Sequence, residues 1–347
     1  MFREIAYMYP GVVFTSQFDS ARIRFLEGYE VRTSFVQGLP LALTKHYLYA
    51  PILADVYADM DLGGFELILS DSHSFAHGVR KDPGALHICY YHTPARSIWT
   101  PEIDDRASGG WFRQFIANRI RRMDWDASKG PDIAIANSKT IAARIERFYR
   151  RPVERVIYPP VDVEKWLGVP RLGEKEGYLY WGRLIPYKRV DLAIEAAKKM
   201  GFVLNIVGSG PSQSALEAQA AGSPNIRFHG RLSDHDLQAI MSHSKALIFP
   251  CYEDFGIVPV EAMASGLPVV AYGVGGASET VLPEFGVQFF EQEVEPLCDA
   301  IRTLETKRFD SDSLRAHARG FSAERFRREY REVVDSAVSK HFAARAR

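Results

Sequence analysis

Cysteine is scarce in this chain. Cys89, Cys251 and Cys298 are scattered and odd in number. They form no disulfide framework and no zinc-ligand spacing, and suit a reducing compartment. Long apolar runs are also absent. None approaches the ~20 residues of a membrane span, so no transmembrane helix and no signal peptide are expected. Charge of one sign is missing too: 43 Lys and Arg balance 43 Asp and Glu. No global field therefore draws the chain to nucleic acid, although local basic patches remain open. No Gly-x-Gly-x-x-Gly is followed by a ribose-binding acid, which argues against a dinucleotide oxidoreductase. There is no fixed-period repeat and no low-complexity tract.

What is present is an ordinary globular composition, 46% hydrophobic and 25% charged over 347 residues, enough for about two domains. The N-terminal half alternates strand-like runs (12–16, 32–36, 65–70, 86–92, 132–137, 153–158) with helical ones. Residues 41–60 read as mostly helical, with Pro51 kinking or splitting them. Residues 111–126 read as a long amphipathic helix. Pro159-Pro160 and the polar stretch 168–177 read as a linker. The second half is more regular. Strands are expected at 178–181, 203–207, 226–229, 246–249, 269–272 and 287–290. Helices are expected at about 188–200, 211–221, 233–243, 257–265 and 293–306, with a last helix from 322 to about 339. Such alternation predicts an α/β fold of two Rossmann-like domains. Ligands of such sheets sit at the carboxyl ends of strands.

The stretch Phe249–Gly266 concentrates the chemistry. A buried strand runs into a loop over 253–257, and Pro259 suits the first turn of the helix that follows. Gly266 closes that helix. The N–H groups of Phe255, Gly256 and Ile257 face whatever occupies the loop, and a helix start favours an anion. Glu253 and Glu261 flank it. An ionised carboxylate only accepts hydrogen bonds, which suits sugar hydroxyls. A nucleotide sugar would use both features. Taken singly, Glu253 reads equally as a solvated loop acid and Glu261 as a helix-start acid. Gly208-Ser209-Gly210 is a phosphate-type loop or a plain strand–helix turn. Arg183 and Lys188 sit at a helix start, where cations oppose the dipole, so they answer to a ligand's negative charge or are simply solvated. His92 lies at a strand end, in a catalytic or a structural role. Ser138 has the position of a helix cap.

Glu253 and Glu261 at this spacing resemble the signature of retaining glycosyltransferases of the GT-B fold, family 4. Gly182-Arg183-Leu184 with Lys188, Asn137-Ser138, Pro159-Pro160-Val161-Asp162 and Gly275-Gly276 resemble the same family in the same order. Tyr91-His92-Thr93-Pro94-Ala95-Arg96 is similar to the bacterial GDP-mannose-dependent mannosyltransferases of surface polysaccharide synthesis. The resemblance spans about residues 5–335. It implies an N-terminal acceptor-side domain over 1–168, a nucleotide-sugar domain over 169–321, and a final helix over 322–347 that crosses back to the first domain. The two domains would face each other across a cleft. Arg183 and Lys188 would bind the donor diphosphate. Phe255, Gly256 and Ile257 would offer N–H groups to phosphate or sugar. Glu253 would hold the transferred sugar, Glu261 the ribose, and His92 would reach the sugar. Gly208 and Leu232 would border the base.

The resemblance further implies a hexose transfer, mannose from GDP-mannose, to a saccharide or lipid-linked saccharide, with no metal and no nucleic acid. The setting would be cytoplasmic, peripheral at the inner face of a membrane. The family opens with a strand and a Gly-rich loop before its first helix. Here residues 4–10 resemble the end of that helix, and the strand and loop are missing from the sequence. The helix from Trp111, with Phe112, Arg113, Phe115, Arg119, Arg121 and Arg122, is a core helix with a solvated face or a lipid-pyrophosphate patch. Competing readings are a UDP- or dTDP-sugar donor, a nucleotide-sugar epimerase, and a non-catalytic scaffold that binds nucleotide sugar.

Overall fold

The computed structural model of the chain describes residues 1–101, 110–171, 173 and 175–345, and the backbone alone at 46, 47, 112 and 113. It forms two compact units. One comprises Met1–Tyr158 with the chain from Phe326 on; the other is Pro159–Arg325. The sequence places the domain boundary somewhat later, at 168/169, in a linker of which Leu172 and Glu174 lie outside the described residues.

The first unit opens with a helix, Phe2–Met8, then β1 (Val13–Thr15) and β2 (Val31–Thr33), which pair in parallel. The main sheet is β3 (Leu67–Ser72), β4 (Leu86–Tyr91), β5 (Ile133–Ala136) and β6 (Arg155–Val156), all parallel and in that spatial order. Every residue of β4 is buried. Successive strand side chains point to opposite faces. Ile88 and Tyr90 accordingly pack with Phe326, Tyr330 and Val334 of the last helix, Ala323–Arg345. Cys89 and Tyr91 pack on the other face with Ile141, Ile145 and Tyr149. That second layer is the helix Lys139–Tyr149, whose cap is Ser138: its Oγ accepts from Ile141 N at 3.1 Å. Burying each large apolar side chain contributes roughly 2–3 kcal/mol.

Three expectations are corrected here. The run 32–36 is not one strand: Ser34 Oγ accepts from Val36 N and turns Phe35–Gly38 into a 3₁₀ turn. The helical stretch 41–60 shrinks to a 3₁₀ turn at His46–Tyr49 and a helix, Ala50–Ala58, with Pro51 in its first turn, where its missing N–H costs nothing. The strand expected over 153–158 is ladder-paired only at Arg155–Val156.

In the second unit all pairings are again parallel. The strands are β7 (Tyr178–Trp181), β8 (Leu204–Val207), β9 (Ile226–Gly230), β10 (Ala246–Phe249), β11 (Val269–Tyr272) and β12 (Gly286–Phe289). Their spatial order is β9-β8-β7-β10-β11-β12. This is the doubly wound order 3-2-1-4-5-6. β7, β8 and β10 are almost wholly buried and, Asn205 apart, apolar, as a parallel sheet covered on both faces requires. A helix not expected from the sequence, Ser311–Arg319, starts where Asp310 accepts from Ser313 N at 2.8 Å, and it packs on the helix Ile257–Ala264. Among the described residues no helix is long and apolar enough to cross a membrane.

Candidate functional site

β7 and β10 are neighbours in the sheet, but the chain leaves them in opposite directions, one towards β8 and the other towards β11. Doubly wound sheets leave a crevice at this point, outside the carboxyl ends of the strands. After β7 the chain runs through Gly182-Arg183-Leu184 to a 3₁₀ turn, Pro186–Lys188. Arg189 then takes a left-handed conformation, φ 53°, unusual for a residue with a side chain. Its guanidinium holds that turn by bonding Asp191 at 3.1–3.2 Å and the Gln292 carbonyl at 3.4 Å. Gln292 in turn donates to the Pro250 carbonyl at 2.8 Å, at the end of β10.

The result is that Lys188, after β7, meets Glu253, after β10. Nζ and Oε1 form a direct ion pair, and both side chains are mostly buried. Burial works against the Lys188 charge, but Cys251 and Glu253 outweigh it and hold the ammonium above the ordinary lysine pKa. The ammonium also lies 5.7 Å from the Phe249 ring centre. Arg183 is exposed and has no ion pair among the described residues. The pair places a cation and an acceptor side by side, and Arg183 lies in the same segment between β7 and the 3₁₀ turn.

The glycines explain how closely the loops approach. A Cβ on Gly208 would lie 1.9 Å from the Gly182 carbonyl oxygen, and one on Gly210 would lie 2.1 Å from that of Leu184. The two loops are bonded backbone to backbone: Gly182 N to Val207 O at 3.0 Å and Leu184 N to Ser209 O at 3.1 Å. Arg231, beside half-buried Leu232, donates to Ser209 Oγ at 2.9 Å. On the other side, Gly276 N donates to Glu253 O at 2.7 Å, and a Cβ on Gly276 would meet Phe255 Cα at 2.3 Å. Gly275-Gly276 therefore clamps the Glu253–Phe255 backbone. The helix Ile257–Ala264 begins at Gly256, φ 88°, with Phe255 buried beneath it and Ile257 exposed. Its first N–H groups have no intrahelical acceptor.

Glu261 faces the short helix Glu164–Leu167 that precedes β7. Trp166 Nε1 donates to its Oε1 at 3.3 Å, and the Trp166 and Trp181 rings meet edge to face. Burial pushes the Glu261 carboxyl up to about 7, although Trp166 and Lys165 pull the other way.

His92 belongs to the first unit. Its backbone N donates to Ser72 O at 2.9 Å, fixing it just past the end of β4. Its Nε2 lies 2.5 Å from Asp71 Oδ1, and the His73 ring stacks on it at 3.8 Å. An ionised Asp71 can only accept, so His92 then carries its proton on Nε2 and presents Nδ1 as an acceptor. His73 stays exposed as a residue, but partial loss of solvent around its ring and then the facing His92 lower its pKa. Donor atoms of Asp71, His73 and His92 lie within 4.8 Å of one another, close enough to share a divalent cation, although the Asp71–His92 contact pairs two of them directly. Asp71 and His73 were not singled out from sequence. The available signal is position: they flank Ser72, the last residue of β3, which pairs with Tyr91 just before His92.

The two-unit parallel α/β architecture is that of GT-B glycosyltransferases. A sucrose-phosphate synthase from Thermosynechococcus elongatus aligns with a TM-score of 0.75 at 19% identity, covering 97% of this chain and 92% of that one. HepE from Anabaena, in complex with UDP and glucose, aligns with a TM-score of 0.62 at 20% identity, covering 96% and 95%. Residues 163–321, nearly all of the second unit, match the family described as Glycosyl transferases group 1. A glycogen synthase of Mycobacterium tuberculosis is 30% identical over 210 residues, 56% of this chain and 50% of the relative. A GDP-mannose-dependent alpha-(1-6)-phosphatidylinositol monomannoside mannosyltransferase of the same organism is 27% identical over 223 residues, 56% and 57%. The second unit is thus similar to group 1 glycosyltransferases, and the solved structures share the GT-B fold. The chain spans about half the length of the curated relatives it matches.

Proposed function

We propose that the chain is a retaining glycosyltransferase that moves mannose from GDP-mannose to a saccharide carried on a lipid, in polysaccharide or glycolipid synthesis. The observation that carries this reading is the Lys188–Glu253 pair at the sheet's crossover point, with exposed Arg183 in the same segment after β7. A nucleotide sugar fits such a place because it needs cations for its diphosphate and acceptors for its hydroxyls.

In this reading Arg183 and Lys188 bind the diphosphate. Charge builds there as the glycosidic bond to phosphate breaks and the sugar takes on oxocarbenium character. Preorganised cations and the N–H groups of Phe255, Gly256 and Ile257 stabilise that charge without reorganising, and no metal is required. Lys188 turns from Glu253 to phosphate, and Glu253 is released to hold sugar hydroxyls. Glu261 holds the ribose, while Gly208 and Leu232 border the base. His92 reaches the sugar through Nδ1, and the leaving phosphate helps deprotonate the acceptor on the same face, giving retention. The enzyme works in the cytoplasm, at the inner face of the membrane.

A second reading keeps the site and changes the donor. HepE is described in complex with UDP and glucose, which favours a UDP-sugar. Calorimetry of GDP, UDP, dTDP and ADP against the 347-residue chain separates them. Selective GDP binding, followed by mannose transfer that survives EDTA, is the expected result. Selective UDP binding replaces the donor. Failure to bind any nucleotide overturns the reading.

A further inference from the structure

The first unit carries a concavity of about 470 Å³, lined by arginines and aromatic rings, between the helices Trp111–Ala127 and Lys139–Tyr149. Its aromatic wall is built from Trp99 and Phe148, stacked at 5.2 Å. Arg121 is fixed against it. Its guanidinium lies 5.7 Å from the Trp99 ring and donates to the Ile98 carbonyl at 2.6 and 3.2 Å. Three more arginines line the opening: Arg122, Arg147 and Arg150. None of these three has a carboxylate partner among the described residues. Arg150 ends its helix in a left-handed conformation, φ 52°, a place usually given to glycine. A side chain at that position strains the backbone. Concentrating unpaired cations in one concavity is unfavourable unless an anion enters.

The helix also shows what kind of anion. Trp111, Phe115, Arg122 and Trp125 recur at intervals of three, four and seven, which puts them on one helical face. The three aromatics are exposed by 82, 65 and 38%. The side chains of Phe112 and Arg113 lie outside the described residues. An exposed aromatic stripe running into an arginine-lined pocket matches an amphiphile: rings at the polar–apolar boundary, guanidinium groups on phosphate.

We propose that this pocket seats the phosphate-bearing headgroup of an anionic membrane lipid, with the Trp111–Phe115–Trp125 stripe entering the interface. This deepens the lipid-carried acceptor proposed above and rests on it only for the reason the chain would visit a membrane. Each arginine near an anionic surface is worth roughly fivefold in partitioning, so three are worth on the order of 100-fold.

The test is co-flotation of the full chain with vesicles of phosphatidylcholine alone or with phosphatidylglycerol added. The wild type is expected to float only with the anionic vesicles. The triple variant Arg122→Gln/Arg147→Gln/Arg150→Gln should lose on the order of 100-fold in partitioning, and Trp111→Ser/Phe115→Ser roughly tenfold. Calorimetry with inorganic diphosphate forms a separate arm. Diphosphate binding by the wild type without any vesicle binding would make this a site for soluble phosphate esters and overturn the lipid assignment. Unchanged flotation of the triple variant would overturn the pocket. GDP binding by the same preparations reports on the other unit, so loss of vesicle binding with GDP binding intact leaves the glycosyltransferase reading standing. The converse result leaves the lipid pocket standing.

Discussion

Glu261→Gln is expected to change stability and nucleotide binding in opposite directions. In the fold the Glu261 carboxyl titrates at about 7, against 4.5 for the free group, chiefly because it is buried. A carboxyl whose folded pKa is raised binds its proton more tightly when folded. It favours the fold while protonated, and that contribution is lost as pH rises from the unfolded value through about 7. The full shift is worth at most about 3 kcal/mol, less whatever solvent access screens. Glu261→Gln keeps an oxygen for the Trp166 indole and removes the titration. The variant is expected to be more stable than wild type by about 1–3 kcal/mol at pH 8, shrinking below about 1 kcal/mol at pH 5. Urea unfolding at the two pH values measures this.

Nucleotide affinity should move the other way. Between pH 6 and 8 the ionised fraction of Glu261 rises from about a tenth to about nine-tenths, so binding that needs the carboxylate for ribose hydroxyls strengthens about tenfold. Titration of the nucleotide's own phosphate is common to both proteins and cancels in the ratio of wild type to variant. Calorimetry of GDP with both proteins at both pH values supplies that ratio. Parallel pH slopes would refute the ribose role. A variant less stable than wild type at pH 8 would refute the burial argument itself.

Lys188→Ala and Glu253→Gln should each lower transfer by about 100- to 1,000-fold, measured as sugar release from donor, while circular dichroism stays that of wild type. Full activity in both would dismiss the site. Asp71→Asn removes the carboxylate that sets the His92 tautomer. Turnover should fall by roughly 10- to 100-fold and its pH profile should shift, while GDP affinity stays the same. An unshifted profile would leave Asp71 a merely structural partner. Gly210→Ala drives a methyl group into the Leu184 carbonyl and should destabilise by about 2–4 kcal/mol in urea. Gly256→Ala has room for its methyl and should cost only about 1 kcal/mol, the strain of its positive φ.

The second unit was the more legible in sequence, and the reason is physical. β7, β10 and β11 are short, wholly apolar runs between turn residues, and they fall within the ranges expected from sequence. Strand ends were harder. β12 begins at Gly286 rather than at residue 287 because Gly286 pairs with Val269, a position where a Cβ would lie 2.2 Å from the Val269 carbonyl. The helix Ser311–Arg319 was not legible because it buries only Leu314 and Ala318, too narrow a stripe to show periodicity, although Asp310 as its cap was a usable sign. In the first unit the 41–60 stretch reads as mostly helical, kinked or split at Pro51. It breaks where Pro51 can only start a helix.

The site divides along the same line. Glu253, Lys188 and the glycines were visible because each sits at a strand end where spacing alone implies a loop. That Lys188 bonds Glu253 was not visible, since the contact depends on β7 and β10 being neighbours, and strand order is not written in any one segment. Asp71 and His92 pose the same problem across β3 and β4. What these pairs share is that each joins residues from two adjacent parallel strands at their carboxyl ends. In a parallel sheet all strands end on the same side, so the loops leaving neighbouring strands meet there even when their segments are far apart in sequence. The ion pair at the second sheet therefore also has a folding consequence. Lys188 and Glu253 meet only after β10 has docked beside β7. Lys188→Ala should accordingly speed unfolding more than it slows refolding, and equal changes in both rates would mean that this crossover forms early.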